Sequence, residues 1–327
     1  MLKDKNIYCI LTGGIGNQLF QYSFSKYVST IQNRNLYFIS KKLFIFNFIT
    51  EKNKIFKKKN NLKAFGNKIN LLSLLGIKTQ NCSFFFNSLY FIIPVLKKIR
   101  IVKSDSSYFL NYELFIEKNR GYDKNIFTKI ITSKNKNIIL YGYWQSKNYF
   151  PENFKSIFPN LNLNMYPQKK FKKVLDLITE KNSVGICIRV YEDLPGNKIN
   201  KNYNKTVMGG IPDIKYYKRV INLLKLKLKK PTFFVFSSRN FSFLKDLNLS
   251  NDDYFINNDN GFSGTIDNLL LMSKCKHLVI SNSSYYWWAA MIGSNYNKEL
   301  KIYRPYNKET EIAKIEYFPQ DWIKFDY

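Results

Sequence analysis

Residues 7–11 are an apolar run between polar positions, the pattern of a short buried strand. Gly13-Gly14-Ile15-Gly16-Asn17 follows, and then apolar residues recur at 19, 20, 24, 27, 28 and 31 at helical spacing. Residues 36–39 read as a second strand, so the chain opens as a βαβ unit. Residues 138–143 are a further strand candidate, with a polar helix start near Ser146. A second series begins after Pro167. Residues 171–178 read as a helix, 184–190 as a strand, 216–228 as an amphipathic helix, and 232–236 as a strand ending in Ser237-Ser238. Residues 266–275 are helical, 277–280 form a strand ending in Ser281-Asn282-Ser283-Ser284, and 285–292 are helical again. Strand and helix alternate in both halves, which predicts an α/β fold of parallel sheets with right-handed crossovers. The polar stretch at 160–168 divides the chain into domains 1–165 and 166–327.

Composition narrows the class. The 327 residues are 45% hydrophobic and 17% aromatic, enough for a large core, which excludes a disordered, collagenous or coiled-coil chain. The formal charge is +29, from 52 Lys+Arg against 23 Asp+Glu. Lysines outnumber arginines 45 to 7, with abundant Asn, Ile and Phe, a bias expected of an A+T-rich coding sequence. Acidic residues stay scarce, so part of the basicity is physical and suits nucleic acid, an anionic membrane surface or a phosphorylated substrate. The lysines are dispersed and form no nucleic-acid module, which makes nucleic-acid binding the remote reading. Cys9, Cys82, Cys187 and Cys275 form no CxxC, and one histidine, His277, cannot complete a usual zinc set. They read as reduced buried thiols, and His277 as structural. The N-terminal apolar stretch is too short for a signal peptide. The run at 84–96 is broken by Pro94 and too short to span a bilayer. With Lys97, Lys98, Arg100, Lys103 and the lysines of 52–63, it predicts peripheral binding to an anionic membrane by a cytoplasmic protein, the alternative being a solvated lysine surface with 84–96 buried.

Four constellations carry candidate chemistry. Gly13 to Gln18 lie between a strand and a helix, where glycines let a ligand approach backbone N–H groups, or else form a plain strand–helix turn. Leu19 stands where a dinucleotide fingerprint needs its third glycine, and no acid closes the second strand, which argues against NAD or FAD. Arg189 stands at a strand end with Glu192 and Asp193 just beyond. Its planar fork suits a phosphate, or else it pairs with a nearby acid. Ser281-Asn282-Ser283-Ser284 join a strand to a helix and either cap it or bind an anion. Trp144 and Gln145, in Gly142-Tyr143-Trp144-Gln145-Ser146, suit a sugar surface, with core packing the alternative for Trp144.

The stretches GGIGNQLFQY (13–22), GYWQSKNYF (142–150) and MSKCKHLVISNSSYYWWAA (272–290) together resemble the α-1,2-fucosyltransferase family of inverting glycosyltransferases, glycosyltransferase family 11. The resemblance implies a GT-B-like fold, two Rossmann-like domains with parallel sheets facing a cleft. The first domain would be on the acceptor side and the second would bind the nucleotide sugar. It implies a GDP-sugar co-substrate, usually GDP-L-fucose, with no metal and no other cofactor. The acceptor would be an oligosaccharide or lipid-linked glycan of a bacterial surface polysaccharide such as O-antigen lipopolysaccharide. The family's strand motif, His-x-Arg-Arg-x-Asp, places Cys187 at the His, Arg189 at the first Arg, Val190 at the second and Glu192 at the acid. Arg in this motif contacts the diphosphate; Arg239, at the neighbouring strand end, would supply the charge missing at Val190. Asp267 matches the acid preceding the family's LMSxC stretch. The candidate donor site is therefore Gly14, Gly16, Asn17, Gln18, Arg189, Arg239, Asp267, Asn282, Ser283 and Ser284. Trp144 and Gln145 are candidates for the acceptor, and Arg189, Glu192 and Asp193 for catalysis, with either acid as base or as a partner orienting Arg189. Transfer of a related GDP-deoxysugar such as colitose, or GDP-sugar binding without turnover, are the alternatives.

Overall fold

A computed structural model describes residues 5–40, 71–80, 82, 89, 92–93, 106–109, 111–118, 120–151, 154–158, 169–189, 212, 214–237, 246–257, 261–308 and 310–326. The chain divides into two compact units, Met1–Leu161 and Asn162–Tyr327. Each is a Rossmann-like α/β unit built on its own sheet.

The first unit contains β1 (Asn6–Ile10), α1 (Ile15–Gln32), β2 (Asn35–Ile39), β3 (Ser106–Phe109), β4 (Tyr112–Ile116), α2 (Lys124–Thr132), β5 (Asn137–Tyr141) and a short α3 (Phe154–Ile157). The sheet order is β2-β1-β5-β4-β3, and only the β3–β4 pair is antiparallel. Helices follow parallel strands onto the sheet, so Ile7, Cys9 and Ile10 are sealed and read as one continuous apolar run. Asn33 ends α1 in the left-handed conformation, returning its N–H to Ser29 and Thr30 carbonyls. The expected helix start near Ser146 is a single 3₁₀ turn at Lys147–Tyr149, capped by the Ser146 hydroxyl. The expected strand at 138–143 stops at Tyr141, where a loop takes over.

The lysines of 52–63 and most of 84–96 lie outside the described residues. Leu89 and Ile93 of that run are buried with Tyr8, Ile10, Ile39, Leu114, Ile116 and Ile139 on one sheet face. Those two side chains belong to the core, as the buried alternative for the run has it, while Ile92 between them is exposed. Among the described residues no helix is long and apolar enough to cross a membrane.

The second unit contains α4 (Lys169–Glu180), β6 (Asn182–Ile188), α5 (Ile214–Lys227), β7 (Pro231–Ser237), β8 (Tyr254–Asn257), α6 (Gly261–Lys274), β9 (His277–Val279), α7 (Ser284–Tyr296), β10 (Lys301–Tyr306), α8 (Glu311–Lys314) and β11 (Ile323–Asp326). All its strands are parallel, in the order β11-β10-β9-β6-β7-β8. From β6 the chain walks one way through β7 and β8, then returns to β9 and walks the other way. The order reverses between β6 and β9, which makes their carboxyl ends the topological switch point.

Alternation along β6 assigns the two faces. Val184, Ile186 and Ile188 pack under α5 against Tyr216, Tyr217, Val220, Ile221 and Leu224. Gly185 and Cys187 face the other way, and the Cys187 thiol lies 3.4 Å from the Met272 sulfur of α6. On that face α7 packs against α6, and Gly293 permits the approach: a Cβ there would meet the Ser273 carbonyl oxygen at 3.0 Å and the Leu300 Cδ2 at 2.8 Å. Gly293→Leu therefore overpacks this contact. Urea unfolding of the purified chain should show a loss of about 1–3 kcal/mol, and an unchanged midpoint would mean that α7 does not sit this close.

Candidate functional site

In the first unit the structure brings the first and fourth constellations together. The glycine turn leaves β1 and the Gly142–Gln145 loop leaves its neighbour β5. Gln21, fully buried, joins them. It accepts from Thr12 N at 3.0 Å and donates to the Thr12 hydroxyl at 3.0 Å and to the Gly142 carbonyl at 2.9 Å. A second amide bond crosses the same gap, from Gln145 Nε2 to Asn17 Oδ1 at 2.8 Å. Gly13 has φ +75°, and a Cβ on it would lie 2.3 Å from Asn17 Nδ2, so this position requires glycine. Gln18 is spent on the turn. It donates to the Gly13 carbonyl at 3.1 Å and accepts from Leu71 N at 2.7 Å.

Glu117, just past β4, shapes the second loop. Its carboxylate accepts from Tyr143 N at 2.6 Å and from Trp144 N at 3.0 Å. These bonds hold Trp144 at φ +57°, a conformation strained for a bulky residue. The Trp144 ring is fully buried against Phe24 (4.8 Å between centroids) and Tyr149 (5.4 Å). Trp144, expected at an acceptor surface, is thus a core residue in this structure. Gln145 is also mostly buried, with its amide on Asn17.

In the second unit the second and third constellations meet at the switch point. Ile186 pairs with Val279, and Arg189 and Asn282 each lie three residues further on, so both leave one edge of neighbouring strands. Ser283 caps α7, its hydroxyl accepting from Tyr285 N at 3.3 Å, and the first turn of α7 carries no acidic residue. The N–H groups of a helix N-terminus and the helix dipole make this end attractive to an anion. Ser284 opens the helix and Asn282 is largely buried. Asp267 is buried on α6, close enough to Tyr285 to help burial hold that phenol protonated. Glu192, Asp193, Val190 and Arg239 lie outside the described residues.

Three buried tyrosines fix this edge. Tyr286 of α7 donates to the Ile188 carbonyl at 2.7 Å, immediately before Arg189. Tyr216 of α5 donates to the carbonyls of Ile280 (3.0 Å) and Tyr303 (3.1 Å), and Tyr217 makes a longer 3.4 Å contact to the Cys187 carbonyl. Burial pushes the Tyr217 phenol well up, which keeps it a donor at neutral pH. Burial likewise pushes the Cys187 thiol well up, so it stays protonated and behaves as a small apolar side chain. All four cysteines are buried and free. His277 begins β9 at the opposite edge; burial, with Lys301 and Lys276, pushes its pKa down. Among the described residues no three His, Cys, Asp or Glu side chains are placed to hold a metal ion.

The pattern of apolar positions places the tyrosines in helices 216–228 and 285–292 and singles out neither them nor Gln21 and Glu117. Their function lies in which carbonyl or N–H they reach, and no local spacing encodes that. The Tyr-Tyr pairs at 216–217 and 285–286 were the one available signal.

The sequence profile of glycosyl transferase family 11 matches residues 6–326. An alpha-1,2-colitosyltransferase of Escherichia coli is 27% identical, with 97% of each chain covered. Among solved structures, Arabidopsis thaliana FUT1 in complex with GDP aligns at TM-score 0.48 and 14% identity, over 94% of this chain and 72% of that one. The NodZ alpha-1,6-fucosyltransferase soaked with GDP-fucose aligns at TM-score 0.43 and 11% identity, over 89% and 93%.

If Glu117 holds the loop, Glu117→Ala leaves the N–H groups of Tyr143 and Trp144 without their carboxylate. A chemical denaturation curve should show about 1–3 kcal/mol less stability. Wild-type stability would mean that the loop holds itself.

Proposed function

Because the chain belongs to glycosyl transferase family 11 along residues 6–326, we propose that it transfers a deoxysugar, first of all L-fucose, from a GDP donor. The acceptor is a galactose-type hydroxyl of an oligosaccharide or lipid-linked bacterial glycan, and the product has the α-1,2 linkage. The observation that carries this reading is that Arg189 and the N-terminus of α7 follow adjoining strand ends at the switch point.

The chemistry matches those groups. When the bond from the sugar to the β-phosphate breaks, negative charge grows on the diphosphate. A guanidinium and preorganised N–H dipoles stabilise that charge more in the transition state than in the bound donor, which is the condition for accelerating the reaction. Direct displacement with inversion passes through an oxocarbenium-like sugar and needs no protein nucleophile, consistent with a protonated Cys187. The acceptor hydroxyl loses its proton to a carboxylate; Glu192 or Asp193 takes this role, or else orients Arg189. No metal or other cofactor enters this scheme. The acceptor's lipid anchor would place the enzyme at the inner face of the cytoplasmic membrane.

A second reading, transfer of colitose, is favoured by the name of the Escherichia coli relative. Colitose is fucose without its 3-hydroxyl. A site built to hydrogen-bond that hydroxyl rejects the sugar lacking it, so relative kcat/KM for the two donors separates the readings.

GDP and GDP-L-fucose should raise the melting temperature, and UDP and NAD should not. At about 100 times its Kd a ligand adds roughly 2.7 kcal/mol; equal shifts with UDP and GDP would defeat the donor assignment. Arg189→Ala should lower turnover about 10²-fold in a GDP-release assay, with Arg189→Lys recovering part. Near-native turnover of Arg189→Ala would remove Arg189 from the site. Activity should persist in excess EDTA; loss restored by Mg²⁺ or Mn²⁺ would reject the metal-free scheme.

A further inference from the structure

We propose that Arg304 is a second cation of the diphosphate subsite, placed across the N-terminus of α7 from Arg189. This rests on the GDP-donor reading above.

The topology sets the two arginines on either side of β9. The sheet runs β10-β9-β6; Arg189 ends β6 and Arg304 lies in β10. Tyr303 pairs with Val279, and its carbonyl accepts from Ile280 N at 2.9 Å. Arg304 therefore stands where β9 ends and the Ser281–Ser284 turn begins. Strands lie about 4.8 Å apart, so the backbones of β6 and β10 are separated by roughly 10 Å, a span two arginine side chains can close. The faces agree as well. Tyr303 belongs to the core under α5 with Val184, Ile186 and Ile188. Alternation puts Arg304, and Arg189 after Cys187, on the other face, where α6 and α7 lie. The Tyr216 hydroxyl, seated on the Ile280 and Tyr303 carbonyls, lies close enough to the Arg304 guanidinium to interact with it, which fixes that group at the same edge.

The state of the guanidinium points to an anion. Arg304 is 7% exposed, and among the described residues its buried Nε has no hydrogen-bond partner. Its neighbours are ring faces, Phe318 at 5.1 Å and Tyr306 at 6.0 Å. Rings meet the charge through their faces and do not accept the in-plane N–H donors. Arg34 shows what a structural buried arginine looks like in this protein. It is 5% exposed, and its donors reach Gln32, Ser133, Asn135 and Lys136. Among the described residues Arg304 has no such set, and it adjoins a helix N-terminus with no acid in its first turn. Two arginines flanking that N-terminus make a site for a dianionic group rather than a single phosphate charge, and the fork geometry of each suits phosphate oxygens.

Calorimetric titration of the full chain with GDP and with guanosine tests this. Arg304→Met keeps apolar bulk over Phe318 and removes the charge. It should weaken GDP by about tenfold or more, leave guanosine binding within about twofold, and lose most of this difference at high salt. Arg304→Lys keeps the charge without the fork and should fall between; it carries the test if the methionine variant does not fold. GDP binding by a folded Arg304→Met protein as tight as wild type, or an equal loss for guanosine, would overturn the proposal. Wild type that does not bind GDP would instead overturn the donor reading, and this inference with it.

Discussion

The carboxyl ends of parallel strands run out of strand partners, and their last carbonyls still need hydrogen bonds. In the second unit the phenols of Tyr286 and Tyr216 supply them, at Ile188 and Ile280. A buried carbonyl without a donor costs about 1–3 kcal/mol, so these bonds fix where each strand stops. Arg189 follows Ile188 and the Ser281–Ser284 turn follows Ile280, so both candidate anion-binding elements inherit their positions from two tyrosines. The tyrosines come from α5 and α7, on opposite faces of the sheet. The edge is held from both sides, and Cys187 and Met272 fill the space beneath it with apolar sulfur rather than charge.

The first unit solves the same problem with amides and a carboxylate. Gln21 reaches from α1 to the end of β1 and to the start of the loop after β5, while Glu117 collects the two N–H groups of that loop. The outcome is a rigid pair of turns joined by Asn17 and Gln145. Placing Trp144 in left-handed backbone costs energy, and the Glu117 bonds with the burial of the indole offset it.

The legible part of the fold was the part written in local periodicity. Apolar runs gave β1 and β7, because parallel strands covered on both faces have no polar side, and alternation gave β6. Helices α1, α5 and α7 followed from 3.6-residue spacing and from the serines and glycines at their starts. The strands at Tyr112–Ile116, Tyr254–Asn257, Lys301–Tyr306 and Ile323–Asp326 were not read. Each is short, mixes polar and apolar residues, and gains its strand character from the neighbour it pairs with. The same reason hid Arg304, whose meaning depends on β10 lying beside β9. The glycine turn and the Gly142–Gln145 loop were seen as separate motifs, but their meeting is a property of the β1–β5 pairing 131 residues apart, Asn6 against Asn137. Trp144 shows the converse limit: an aromatic beside an amide fits a sugar surface in sequence, and the fold spends it on the core.

The central claim is that the switch point between β6 and β9 receives a nucleotide diphosphate at the N-terminus of α7. A crystal structure of the protein soaked with GDP tests it most directly. The account predicts phosphate density over the Ser283–Tyr285 backbone with the Arg189 guanidinium in hydrogen-bond contact. GDP bound with its phosphates away from both α7 and Arg189 would contradict it.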